Sequence, residues 1–160
     1  MHLLDTITIT FAGLMVGNEL ALSAFVNPAM WQLESGSQAQ GLSILARSLG
    51  RVMPVWYGLC LALLALESFL HRRQTALAPL LMATLIRTGV IVFSIAMLVP
   101  INNRIASLNS EANTAANTSA NPAGPAPGRK QDHRKWDSRH RVRIVLLAVA
   151  IFVLTYALVA

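Results

Sequence analysis

The chain has 160 residues, is 54% hydrophobic and only 12% charged, and carries a formal net charge of +6. A soluble domain holds roughly a quarter charged residues, so the deficit places much of the chain in lipid, and the length predicts a single domain over 1–160. The positive charge is confined to loops, which points to anionic headgroups and membrane orientation and away from nucleic acid, whose readers need a basic surface on a soluble fold.

The first apolar run, residues 3–26, is long enough to cross a hydrocarbon core. It lacks a Lys or Arg ahead of it, carries Asn18 and Glu19, and ends at Asn27-Pro28 without a small-residue cleavage site. Those features predict a retained helix rather than a signal peptide. Gly13 and Gly17 bare one face for a neighbouring helix. In the loop 27–51, Trp31 suits a headgroup anchor, and Leu42, Leu45, Ala46 and Leu49 recur at helical spacing. The spacing predicts a short interfacial helix leading into the membrane.

The second span is expected over 52–70, with Pro54 in its first turn, where a missing N–H costs little. Cys60 lies inside it; a lone cysteine excludes an internal disulfide or a CxxC redox motif. Glu67 and His71, four residues apart at its far end, read as a solvated pair. A polar turn leads to a third span over 76–99, with Arg87 near its middle and Pro100 ending it. Residues 107–129 are nearly all Ala, Asn, Ser, Thr, Pro and Gly, the composition of a long flexible linker. From His133 the chain reads as helical again and runs unbroken into the fourth span, 144–160.

The expected fold class is therefore all-α: an up-down-up-down bundle of four transmembrane helices, a multi-pass protein whose first partner is the lipid bilayer. Ten Lys and Arg residues fall in the loops 27–51 and 100–143, against Arg72 and Arg73 on the other side. That bias predicts those two loops to be cytoplasmic, in a plasma (inner) membrane.

Polar chemistry concentrates at few positions. A carboxylate inside a span costs several kcal/mol, so Glu19 is expected to face the bundle interior and to have a partner. At about 1.5 Å per residue, Glu19 lies roughly 10 Å and Arg87 roughly 18 Å below the ends of their helices, within reach of an ion pair. Trp136, His140 and Arg143 follow i, i+4, i+7 spacing and share one helical face, which Leu147 continues. Asp137 and Arg141 fall together on the adjoining face. Beyond Pro100, Asn102 and Asn103 are placed to cap free carbonyls or to turn inward. Asn102, Asn103, Arg104, His140 and Arg143 are thus expected at the mouth of a pocket floored by Glu19. The plainer alternative is that these groups serve only capping and interfacial anchoring.

Val-Pro-Ile-Asn-Asn-Arg-Ile-Ala (99–106), an insert, and Lys-Trp-Asp-Ser-Arg-His-Arg-Val-Arg (135–143) running into a last apolar helix resemble the anthrone oxygenase-like family of small four-helix membrane proteins. Asn27-Pro28 and Arg51-Val52-Met53-Pro54 extend the likeness. The resemblance implies oxygenation of a polyketide-type anthrone, or another apolar phenol, by O2 without a cofactor. Such chemistry needs a base, donors for an enolate oxygen and a dry cavity. His140 is the expected base, Asn102 and Asn103 the donors, and Arg143 the charge that stabilises the anion. Glu19 is the alternative proton acceptor, and Trp136, Arg104, Arg87 and Pro100 line the substrate. Two other classes stay open. One is a metal enzyme using Glu19, His140, His133 or His71, for which no pair has ligand spacing; the other is a non-catalytic carrier or accessory subunit.

Overall fold

The computed structural model describes residues 2–101, 103–104 and 129–159. Helix α1 runs over His2–Ala21, widens into a π-turn at Leu22–Val26 and resumes over Asn27–Trp31. Helix α2 spans Ser35–Leu70. Helix α3 covers Leu77–Phe93, passes a second π-turn at Ser94–Leu98 and stays helical to Ile101, and α4 covers Arg129–Val159. Each is long and apolar enough to cross a membrane, over Leu3–Trp31, Gln40–Leu70, Leu77–Ile101 and Arg134–Val159. No strand occurs among the described residues. A bilayer offers the backbone no water, and helices meet that constraint by bonding every interior N–H within the segment. The protein is an all-α integral membrane protein. Phe25, Leu85, Ile95 and Phe152 turn outward, as lipid-facing side chains do.

Helix α1 packs against α2 and α4, and α3 packs against the same two, so α1 and α3 stand diagonally across the bundle. The beginning of α4 lies beside the ends of α1 and α3: Asn27 Nδ2 donates to Asp137 Oδ1 at 3.0 Å, and Arg139 Nη1 to the Met97 carbonyl at 3.1 Å. Two apolar layers fill the interior. Met15, Tyr57, Cys60, Val90 and Leu147 form one, and Ala12, Leu64, Leu80, Ala83, Leu154 and Ala157 the other. Lipid tails are as apolar as leucine, so close packing rather than escape from water holds these layers together. Gly13 serves that packing, because a Cβ there would stand 3.3 Å from Ile151 Cδ1 of α4. Gly17 meets nothing within 4 Å and plays no such part.

Three boundaries differ from expectation, each at a proline. Residues 35–70 form one helix instead of an interfacial segment and a separate span, with Pro54 deep inside it. The inward face of α2 carries buried Leu42 and Ala46 before Pro54 and buried Tyr57, Cys60, Leu64 and Glu67 after it, linked past the exposed proline by half-buried Leu49 and Met53. That continuity outweighs a local cost of about 3 kcal/mol. The first turns of α2 pack on the end of α1, where a Cβ on Gly41 would stand 3.0 Å from Met30 Sδ. Pro28 and Pro100 were expected to end their helices, and both are passed. Each lies two residues beyond a π-turn, whose closing bonds run from Asn27 N–H to the Leu22 carbonyl and from Val99 N–H to the Ser94 carbonyl. A proline ring crowds the carbonyl four residues earlier and offers it no donor; the widened turn relieves both faults.

The pair Glu67 and His71 is also not solvated. Glu67 is fully buried and His71 is 6% exposed, because Glu67 lies on the inward face of α2 and His71, which caps the helix, follows it one turn later.

Candidate functional site

Three helices bring four polar side chains together. Glu19 of α1 is fully buried. Its Oε1 accepts a hydrogen bond from the Tyr57 hydroxyl of α2 at 3.1 Å, and its Oε2 accepts one from Arg143 Nη2 of α4 at 2.5 Å. His140, fully buried as well, sits with Nδ1 3.5 Å from the same Oε2. Its Nε2 lies 3.2 Å from the Glu19 backbone carbonyl, and Arg143 Nη2 lies 2.8 Å from its Nδ1. A guanidinium only donates, so Nδ1 is the accepting nitrogen and Nε2 carries the proton toward the carbonyl. The contacts thus hold His140 as the neutral Nε2–H tautomer, its ring stacked on Trp136 with centroids 4.7 Å apart and planes 9° from parallel.

Local sequence explains the arrangement. On α4, positions 136, 140, 143 and 147 make one stripe, and His140 and Leu147 of that stripe are fully buried. Arg143 lies one turn nearer the membrane interior than His140 and reaches the carboxylate from a helix that packs directly on α1. The ion pair balances the Glu19 charge within the apolar interior, and a buried charge is tolerated only when so matched.

Arg87 does not pair with Glu19, contrary to expectation. It reaches α1 about one turn deeper than Glu19, at Met15, four residues earlier on the same helix. Arg87 is buried instead with Nη1 3.5 Å from Met15 Sδ, and its Nε has no hydrogen-bond partner among the described residues. Pro100, Asn103 and Arg104 are exposed on the helical continuation of α3. Asn102 lies outside the described residues, and so does the side chain of His133.

Two further residues belong to the cluster's surroundings. Tyr57 reads as one more apolar residue of the second span, and only its place on the stripe with Cys60 and Leu64 marks it as inward. Asn27 joins α1 to α4 through Asp137, whose Oδ2 also accepts from Arg141 Nη2 at 2.7 Å. A surface pocket of roughly 330 Å³, at the low end of the range for small-molecule sites, is lined by Trp31, Arg134, Asp137, Ser138 and Arg141. It shares the outer part of α4 with the cluster, whose own carboxylate and imidazole stay closed off beneath Trp136.

No curated protein and no solved structure matches the chain. Residues 42–153, about seven-tenths of its length, match the model of a family described as Anthrone oxygenase. The matched stretch holds Tyr57, His140 and Arg143 and leaves Glu19 outside. With four membrane-length helices and a family match over most of them, the chain belongs to the anthrone oxygenase family.

Proposed function

We propose that this protein is a cofactor-independent oxygenase that converts an apolar anthrone or related phenolic substrate to the quinone. The observation that supports the reading is the convergence of a carboxylate, a phenol, a neutral imidazole and a guanidinium inside the bilayer. An anthrone has an acidic benzylic C–H. His140 Nδ1 removes that proton once Arg143 turns from the imidazole to the substrate. Arg143 and the Tyr57 hydroxyl then donate to the developing enolate oxygen, a preorganised arrangement that gains strength in a dry site. The electron-rich anion adds O2 at the benzylic carbon to give, with one proton, a hydroperoxide. Loss of water from the hydroperoxide leaves the carbonyl, so one O2 is consumed and one water released per turnover.

The test is O2 uptake by purified protein supplied with an anthrone in detergent. His140→Ala is expected to slow the reaction by about 10²- to 10⁴-fold, the span of general-base contributions. Turnover by the folded variant at the parent rate would remove His140 from the mechanism.

A second reading has its own support. Glu19 and His140 are fully buried and both imidazole nitrogens are engaged, as in a polar tie between helices. On that reading the protein is a non-catalytic membrane component. It predicts no anthrone-dependent O2 uptake at all, together with loss of folding in His140→Ala. The Lys and Arg bias further supports an up-down-up-down arrangement with loops 27–51 and 100–143 in the cytoplasm.

A further inference from the structure

The end of the bundle away from His140 holds a second group of buried polar side chains that the oxygenase reading does not use. Thr8 and Asp5 on α1 meet Glu67 on the last turn of α2 and His71, the residue that caps it. Thr8 Oγ1, itself buried, donates to Glu67 Oε1 at 2.9 Å and so fixes the plane of that carboxylate. Its other oxygen, Oε2, is buried without a hydrogen-bond partner among the described residues; His71 Nδ1 lies 3.5 Å from it and 3.0 Å from the Glu67 backbone carbonyl. Asp5 Oδ1 is likewise buried and unpartnered. One ligand atom from each of Asp5, Glu67 and His71 lies within 4.8 Å of the others.

Two carboxylates facing each other beside a bilayer must share a proton or be matched by a cation. No Lys or Arg among the described residues is bonded to either, and Arg72, the nearest cation in sequence, is exposed over the Phe69 ring at 4.3 Å from its centroid. We infer that Asp5, Glu67 and His71 bind a divalent first-row transition-metal ion, Mn²⁺ or Zn²⁺, that staples the beginning of α1 to the end of α2. One imidazole and two carboxylates form a nitrogen-and-oxygen set suited to those ions, and the absence of thiolate argues against Cu(I). Atoms about 2.1 Å from a common ion stand roughly 3 to 4 Å apart, so the observed spacing closes by small side-chain rotations. Thr8 acts as the outer group that orients Glu67, as carboxylate ligands are usually oriented. Ten residues of helix separate Glu67 from Tyr57, about 15 Å, so the ion is remote from the proposed chemistry and its test is independent of turnover.

The experiment uses the full chain in detergent, stripped with a chelator and titrated with Mn²⁺ and with Zn²⁺ by calorimetry, alongside thermal unfolding with and without each ion. The expected result is one ion per chain and a higher unfolding temperature in its presence. Glu67→Gln and His71→Ala should weaken binding by at least about tenfold. Because a variant at a buried position risks misfolding, Asp5→Asn at the partly buried member must also weaken it, while Glu34→Gln at an exposed, remote carboxylate must not. Absence of binding by either ion overturns the inference. So does binding that survives Asp5→Asn and Glu67→Gln unchanged.

Discussion

Arg143→Met is the sharpest probe of the buried cluster. The substitution keeps an unbranched side chain of similar length and removes the Nη2 bonds to Glu19 Oε2 and His140 Nδ1. Glu19 remains, fully buried, with the Tyr57 hydroxyl at Oε1 as its one side-chain donor among the described bonds. Stranding one partner of a buried ion pair costs about 3–5 kcal/mol. Glu19→Gln is milder. The carboxamide still accepts from Tyr57 or Arg143, and the guanidinium left behind is 12% exposed; loss of a charge-assisted bond predicts about 1.5–3 kcal/mol. In the double variant no uncompensated charge is left, so its cost should fall short of the summed single costs by about 2 kcal/mol or more. Equilibrium unfolding in mixed micelles, followed by tryptophan fluorescence, to which Trp136 stacked on His140 contributes, measures all three. If the costs add to within about 0.5 kcal/mol, the limit for independent sites, then Glu19 and Arg143 are not a coupled pair and the reasoning fails.

Tyr57→Phe keeps the ring in the layer it shares with Met15 and Val90 and deletes only the hydroxyl. It should cost about 1.5–3 kcal/mol and slow anthrone-dependent O2 uptake, and full activity would take the phenol out of the site. Gly13→Val drives a branched side chain toward Ile151 and should destabilise the bundle by about 1–3 kcal/mol. Adding Ile151→Ala should recover part of that loss, whereas Gly17→Val, with open space at its Cβ, should cost less. Cysteines placed singly at Glu34 and Gln74, both exposed, report sidedness. With a membrane-impermeant thiol reagent on intact cells, the second should react and the first should not. Reaction at Glu34 alone would reverse the orientation drawn from the charge bias.

The four apolar runs were legible because lipid leaves the backbone few solutions, and Glu19 stood out because a carboxylate in such a run is costly. The stripe of Trp136, His140 and Arg143 followed from spacing alone. The partner of Glu19 did not. Residue counts place depth only to about a turn: Arg87 reaches α1 at Met15, one turn below Glu19, whereas Arg143 of α4 arrives at the level of the carboxylate. Tyr57 escaped notice because a phenol inside an apolar run looks like packing until its hydroxyl finds a carboxylate. Glu67 and His71 misled for a different reason. Charges at the end of a run usually reach water, and nothing local shows that Thr8 and Asp5 arrive from α1 to cover them. The prolines at 28 and 100 are strong stop signals in isolation, and a single wide turn before each is enough to defeat them.

Those wide turns also set the phase of the helix. Eight residues separate Glu19 from Asn27, which on a regular helix turns the second side chain about 80° away from the first; seven would leave it about 20° off. The turn at Leu22–Val26 absorbs one surplus residue, so both side chains meet α4, at Arg143 and at Asp137. Val90 and Leu98, eight apart across the turn in α3, are both buried for the same reason. A one-residue deletion inside either turn should therefore leave the inward set of side chains unchanged. The same deletion in α4 between Asp137 and Arg143, where no slack exists, would swing His140 off its partner.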